Sequence, residues 1–472
     1  MANASVDSSH QDGLVRRLGL FDATMMIVGI VVGSGIFLTT GLIAQSIPSP
    51  GLILLAWIVG GLLTLAGALI YAELGAAMPE AGGQYVYIRE AYGALPGFLY
   101  GWIMFFTVAT GAVAAVAVAC AEYLGYFFPS LSTTTVVLTH DIRVLHRGIH
   151  YTLSMGQVVA CILILGLSAV NYLGVGLGKT IQNVCTVAKI GAIAILIVFG
   201  VTAGSGIHPE LALRPAGFSV GRLITGFGVA LIAVSYAFDG WNNINYIAGE
   251  IKNPQRTIPR ALVMGTSIIT LLYVSMNYVY LRALPIDEMV GVVRVAEKAV
   301  TALHGQTAAG VIAAVVVIAS SGALNGSIFV GPRVYYAMAQ DRLFFHRMSI
   351  VHPRFRTPGF AILIQGVWAC LLAVTGTFEQ LFTYMMFVVI IFWIVAAASV
   401  FTLRKKYPDL PRPYQAWGYP AIPLLFIFAS VGILINTIFA SPVESLAGLG
   451  FTALGVPVYY AWRRKGLPRS RE

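Results

Sequence analysis

Apolar residues in this chain do not alternate with polar ones; they gather in runs of span length, separated by short polar segments. A bilayer core about 30 Å thick takes roughly 20 apolar residues per helical crossing, so the runs predict twelve transmembrane helices. Their bounds fall at about 21–45, 51–77, 95–128, 152–172, 180–202, 223–250, 261–282, 306–339, 358–376, 380–403, 420–440 and 444–462. The expected fold class is an all-α integral membrane protein. One transmembrane domain occupies residues 19–462, flanked by a tail of residues 1–18 and a basic tail of residues 463–472.

Two runs are interrupted. The first carries Gly29, Gly33, Gly35 and Gly41, with Gly33-Ser34-Gly35 near mid-membrane; the sixth carries Asp239-Gly240 and then Trp241-Asn242-Asn243 at the same depth. These are poor helix formers where hydrocarbon tolerates no exposed backbone. Close packing through small residues accounts for the glycines taken alone, and a polar neighbour inside the bundle accounts for Asp239 taken alone. Matched interruptions in corresponding spans about 200 residues apart point instead to a transporter built from inverted repeats, with its substrate between the broken helices. The freed ends then set the chemistry. Backbone N–H groups at Ser34 and Gly35, at the start of a half-helix, suit a carboxylate. Carbonyls around Val31 and from Tyr236 through Ala237 and Phe238 to Asp239 suit an ammonium group. Donors facing acceptors fit a zwitterion, hence an α-amino acid, although a polar channel lining uses similar groups.

Composition agrees with the pattern: 58% of the 472 residues are hydrophobic, 10% are charged, and the mean hydropathy is +0.82. The net charge of +10 is distributed by side. The termini and even-numbered loops hold 21 Lys and Arg, the odd-numbered loops seven, and Lys189 lies inside the fifth run. The positive-inside rule therefore puts both termini in the cytoplasm, with anionic lipid headgroups rather than nucleic acid as the natural partner. The polar first 20 residues show no cleavable signal peptide, so the first helix doubles as the targeting signal. Cys120, Cys161, Cys185 and Cys370 all fall in spans and read as buried small apolar residues rather than a disulfide framework. No zinc motif, phosphate-binding loop or G-x-S-x-G elbow is present, so neither enzyme chemistry, a cofactor nor a metal is expected. His140, His146 and His150 in the segment from Pro129 to Tyr151 lack ligand-spaced companions, and the segment reads as a solvated loop. Glu122 reads as interfacial; Glu73, and Glu250 with Lys252, read as solvated helix ends or as parts of a gate.

Several motifs in order carry a family resemblance. They are Gly33-Ser34-Gly35-Ile36-Phe37, Tyr71-Ala72-Glu73-Leu74 through Pro79 and Gly82-Gly83, the segment from Tyr236 to Pro254, Asn325-Gly326-Ser327 with Arg333 to Ala339, and His352-Pro353-Arg354 with Thr357-Pro358. From about Leu18 to Pro457 the chain resembles the amino acid, polyamine and organocation transporter superfamily, closest to its L-type amino acid transporter branch. The resemblance implies a LeuT-like fold of two five-helix inverted repeats, about 21–202 and 223–403, plus two C-terminal helices at about 420–462, with spans one and six discontinuous. It also implies site roles: the substrate carboxylate at Ser34 and Gly35, the amine at carbonyls of Val31, Tyr236, Ala237 and Phe238, an aromatic gate at Tyr236, and a polar contact at Asn242.

Lys189 lies deep in an apolar run, where a lysine costs a few kcal/mol on insertion scales. The resemblance implies that it bridges span five to the unwound part of span one, on ground that sodium fills in sodium-coupled relatives. The implied function is sodium-independent exchange of neutral L-amino acids by alternating access, as an antiporter in the inner (plasma) membrane. Animal members of the branch pair with a glycoprotein through a cysteine between spans three and four; the corresponding segment here has none, so no disulfide-linked subunit is expected. A cationic amino acid or polyamine permease using Asp239, and a proton-coupled symporter, stay open as alternatives.

Overall fold

The computed structural model describes residues 13–144, 147–202, 209, 211, 213, 219–292, 294–375 and 378–464. Backbone inside hydrocarbon has no water to bond, so apolar runs of this length are restricted to helices. The first run forms α1 (Leu20–Val31) and α2 (Gly35–Ser46), followed by α3 (Pro50–Ala77), α4 (Gln84–Tyr92), α5 (Ala94–Ile103) and α6 (Ala109–Phe127). Next come α7 (Met155–Tyr172), α8 (Val175–Thr202), α9 (Val220–Ala237) and α10 (Pro254–Ala283), then the short α11 (Ile286–Met289) and α12 (Val295–His304). The chain continues through α13 (Gln306–Val330), α14 (Pro332–Gln340), α15 (Gly359–Thr375), α16 (Phe378–Lys406), α17 (Ala421–Ala440) and α18 (Pro442–Arg464). Among the described residues nine helical stretches are long and apolar enough to cross a bilayer; α1 and α2, bent by 43° at their break, together would make a tenth. The chain is a multi-pass membrane protein. α15 is apolar but only 17 residues long.

Local chemistry sets several boundaries. Ser49 caps α3 by accepting from the N–H of Leu52 at 3.4 Å, with Pro50 in the first helical position, where its missing N–H is harmless. Ser154 and Gln157 bond reciprocally at the start of α7 as a capping box.

Three features of the structure add to or alter the sequence expectation. The segment after α6 is not a plain loop: β1 (Val136–Val144) pairs antiparallel with β2 (Arg147–Ser154), so the fold is not wholly helical and the next helix starts at Met155. His140 and His150 lie in these strands, while His146 and residues 1–12 and 465–472 of the two tails lie outside the described residues. The sixth run stops being α-helix at Ala237 and continues as turns and 3-10 segments to Glu250. The seventh helix begins at Pro254, earlier than hydrophobicity alone suggests, because a proline at the first helical position starts it.

α1 packs against α8, α10 and α13, and α3 runs along α10; α6, α7, α13 and α15 pack on one another. The break in the first run thus faces a wall made by α6 and α13. Two carboxylates read from the sequence as solvated ends or gate parts are in fact buried and paired. Arg333 Nε donates to Glu250 Oε1 at 2.6 Å and Nη2 to Oε2 at 3.2 Å, with both side chains no more than 1% exposed. Glu73, 2% exposed, accepts from Arg404 at 2.8 and 2.6 Å and from the Ala416 N–H at 2.6 Å. The Glu250 carbonyl also accepts from the N–H groups of Arg17 and Leu18, so the chain before α1 is stitched to the segment before α10. Glu122, about a third exposed, pairs with Arg294 and accepts from the Thr133 hydroxyl.

Removing one member of a buried ion pair strands the other. Arg333→Met is therefore expected to cost about 3–5 kcal/mol, seen as a fall in the melting temperature of the purified protein. Combining it with Glu250→Gln is expected to restore part of that loss; an unchanged melting temperature for the single variant would contradict the pairing.

Candidate functional site

The site starts from two chain interruptions that glycine permits. α1 ends at Val31 and α2 begins at Gly35, so the N–H groups at the start of α2 have no helical acceptors behind them. A Cβ on Gly35 would come 3.1 Å from Ala237 Cα, and one on Gly33 would come 3.2 Å from Ala323 Cβ. Small residues here let the break touch the end of α9 and the face of α13. After Ala237 the chain turns through Gly240, whose φ of +98° is readily adopted by glycine, and a Cβ there would meet Ile30 Cγ2 at 2.6 Å.

Between the two interruptions lies a small cavity, about 80 Å³ of it accessible to water. Val31, Ser34, Gly35, Tyr236, Ala237 and Asn242 line it, and so does Asp239. The facing wall is largely apolar, with Met104, Val108, Val330 and Trp393 among its residues. Phe238 is not on the cavity; it is fully buried, with its ring packed against Tyr273 and Trp57 at centroid distances of 5.0 and 6.2 Å. Lys189 is not on the cavity either.

Lys189 is 0% exposed, and its ammonium donates to the carbonyls of Gly29 at 2.9 Å, Val32 at 2.7 Å and Ala319 at 2.7 Å. Three donors meet three acceptors, so the group is saturated. It ties the end of α1 to α8 and α13 from behind the cavity. Gly29 allows this approach, since a Cβ on it would fall 2.1 Å from Gln182 Nε2 and 2.2 Å from Thr186 Oγ1.

Two residues that sequence reasoning did not single out are central to the geometry. The Tyr273 hydroxyl lies 2.8 Å from the Val31 carbonyl and 3.0 Å from the Ala237 carbonyl, so one phenol on α10 joins both interruptions. It carries a single proton and serves the two acceptors in turn. Gln84, the first residue of α4, closes one end of the cavity. Its Oε1 accepts from Asn242 Nδ2 at 2.8 Å and from the Tyr100 hydroxyl at 3.2 Å, while its Nε2 donates to the Phe392 carbonyl at 2.8 Å. Tyr100 and Tyr246 add a hydroxyl pair at 2.7 Å. Asn242 is thus committed to a hydrogen-bonded floor. The signal pointing to Gln84 was the preceding glycine pair: Gly82 and Gly83 have φ of +105° and +46°, and a Cβ on Gly83 would lie 2.6 Å from the Asn245 carbonyl carbon. For Tyr273 there was none, because a tyrosine in an apolar helix is usually packing.

Comparison with known proteins agrees in one direction. A profile of the amino acid permease family matches residues 18–460. The "Serine/threonine exchanger SteT" of Bacillus subtilis is 31% identical over 460 residues, covering 97% of this chain and 99% of that protein. The human "Large neutral amino acids transporter small subunit 2" is 30% identical over 461 residues, covering 96% and 82%. The human "b(0,+)-type amino acid transporter 1" is 28% identical over 468 residues, covering 96% and 90%.

Tyr273→Phe keeps the ring and deletes the hydroxyl. It is expected to cost about 1–3 kcal/mol, the penalty for a buried polar group left without its partner, measured as a lower melting temperature. A variant as stable as the parent would show that the phenol does not hold the two interruptions together.

Proposed function

The chain belongs to the amino acid permease family, and on that premise we propose that it is a sodium-independent exchanger of neutral L-amino acids working by alternating access. The members of this family are transport proteins, so the chain moves a solute and does not transform one. The observation that carries the reading is the single cavity walled by both chain interruptions. In the proposed architecture α1 with α2 counts as span one and the segment from Val220 to Glu250 as span six. α15 and α18 complete twelve spans. Spans one to five (about 21–202) and six to ten (about 223–403) are inverted repeats, and the last two (about 420–462) are accessory. Both termini face the cytoplasm, in keeping with 21 basic residues on that side against seven on the other.

The substrate carboxylate is received by the N–H groups of Ser34 and Gly35 at the positive end of α2. The ammonium is received by the carbonyls of Val31, Tyr236 and Ala237, and Phe238, turned away from the cavity, drops out of the expected set. The Ala237 carbonyl has a second lone pair to offer beside Tyr273, whereas the Val31 carbonyl already accepts from both Tyr273 and the Gly33 N–H. Substrate therefore displaces Tyr273 from Val31, which couples binding to the link between the interruptions. Tyr236 covers the bound substrate as a gate, and the Gln84 floor with the Glu250–Arg333 pair closes the opposite end.

Lys189 supplies a fixed positive charge to the carbonyls of Gly29 and Val32, so a sodium ion has neither room nor reason to bind there. Relatives named for serine and threonine and for large neutral amino acids support a neutral substrate. The segment from Pro129 to Tyr151 contains no cysteine, which supports a chain acting without a disulfide-linked glycoprotein. A second reading, a cationic amino acid or polyamine permease, is favoured by one observation. Asp239 lines the cavity and has no cationic partner among the described residues.

In proteoliposomes, internal unlabelled substrate is expected to accelerate uptake of labelled amino acid, with sodium replaceable by choline at no loss. Alanine, serine or leucine should compete. Competition by arginine or putrescine alone would hand the case to the second reading, and a sodium requirement would overturn the first. Lys189→Ala is expected to abolish exchange while the protein still inserts and purifies; normal uptake by that variant would refute its role.

A further inference from the structure

The wall opposite the two interruptions is one long span, Ala309–Gln340, with a proline inside it. α13 stops at Val330 and α14 starts at Pro332, and Ser327, Val330 and Gly331 all line the cavity. Pro332 has no N–H, so the carbonyl of Ile328 in the same turn lacks its usual helical donor. Behind this turn stands Gln365 of α15. A Cβ on Gly331 would come 2.2 Å from Gln365 Oε1, so the amide occupies the space that a side chain at 331 would need. Gln365 is 0% exposed, and neither its Oε1 nor its Nε2 has a hydrogen-bond partner among the described residues.

A buried amide unpaired at both ends is rare in native proteins and calls for a bound group. The chemistry of the surroundings selects which. Nε2 donates; Oε1 and the Ile328 carbonyl accept. A hydroxyl, which both accepts and donates, satisfies this arrangement. A carboxylate would face two carbonyl oxygens, an ammonium would face the amide N–H group, and an alkyl group would leave every polar atom orphaned. We infer that Gln365 and the helical turn opened by Pro332 beside Gly331 form a hydroxyl-binding side pocket of the substrate cavity. Its occupant is either the hydroxyl of a polar substrate side chain or a water molecule that remains beside an apolar substrate. Gln365 is a specificity residue in the first case and a positioning residue in the second. The inference rests on the amino acid transport reading for its first source only.

The test uses full-length protein in proteoliposomes, with Gln365→Met as an apolar replacement of similar length and Gly331→Ala to push the amide out of its slot. If the occupant is a substrate hydroxyl, Gln365→Met raises the KM for serine and threonine about tenfold relative to alanine and valine. If it is water, the variant weakens all four alike and lowers the melting temperature, and a high-resolution cryo-EM map of the parent shows an ordered peak bonded to Gln365. Unchanged or raised stability with unchanged preference, and no such peak, overturns the pocket. The map judges the pocket even if a variant fails to fold. Failure of the parent to transport any amino acid would sink the functional reading, while the map and melting temperature would still decide the pocket.

Discussion

A helix that stops and restarts inside a packed apolar bundle leaves carbonyls that no water solvates, and the rest of the structure depends on how that is met. Here the answer is an ammonium group. Lys189 reaches Gly29, Val32 and Ala319 with one charge, binding the end of α1 to α8 and α13. A lysine buried in this way is tolerated because each N–H finds an oxygen. The break it stabilises leaves the start of α2 free on the other face, toward the cavity. The same discontinuity is thus anchored from behind and open in front.

The second half of the chain answers the first. The turn after α9 is pressed onto α1 by Gly240, the two interruptions share the phenol of Tyr273, and Asn242 is locked into the Gln84 floor. At that end of the molecule Glu250 and Arg333 pair in full burial, and the buried Glu73 pairs with the part-exposed Arg404. Under the proposed alternating access, these contacts would have to open. The opposite end is lighter, with the Glu122–Arg294 pair part-exposed.

Much of the helical framework was legible because a twenty-residue apolar run has few other fates. Glycine and asparagine inside such runs marked the places where α-helix stops, while the bridging role of the lysine deep in one came from the family resemblance and not from its position. Other features were not legible, for identifiable reasons. The β-hairpin after α6 rests on alternation in Val136 to Val144 that a loop between spans obscures. Tyr273 and Gln84 act through what lies across from them, and spacing along one helix says nothing of that. Phe238 stands next to cavity residues in sequence, but the chain turns there and sends its ring into the core against Trp57 and Tyr273. Glu73 and Glu250 read equally as solvated ends or gate parts because their partners, Arg404 and Arg333, lie 331 and 83 residues away.

The most direct measurement is a cryo-EM structure of the full chain with a neutral L-amino acid, prepared without sodium. The substrate carboxylate is expected within hydrogen-bonding distance of the Ser34 and Gly35 N–H groups, with Lys189 still on the Gly29 and Val32 carbonyls. An amino acid bound elsewhere, or residues 31–37 forming one continuous helix around a Lys189 turned away from them, would contradict the proposed mechanism.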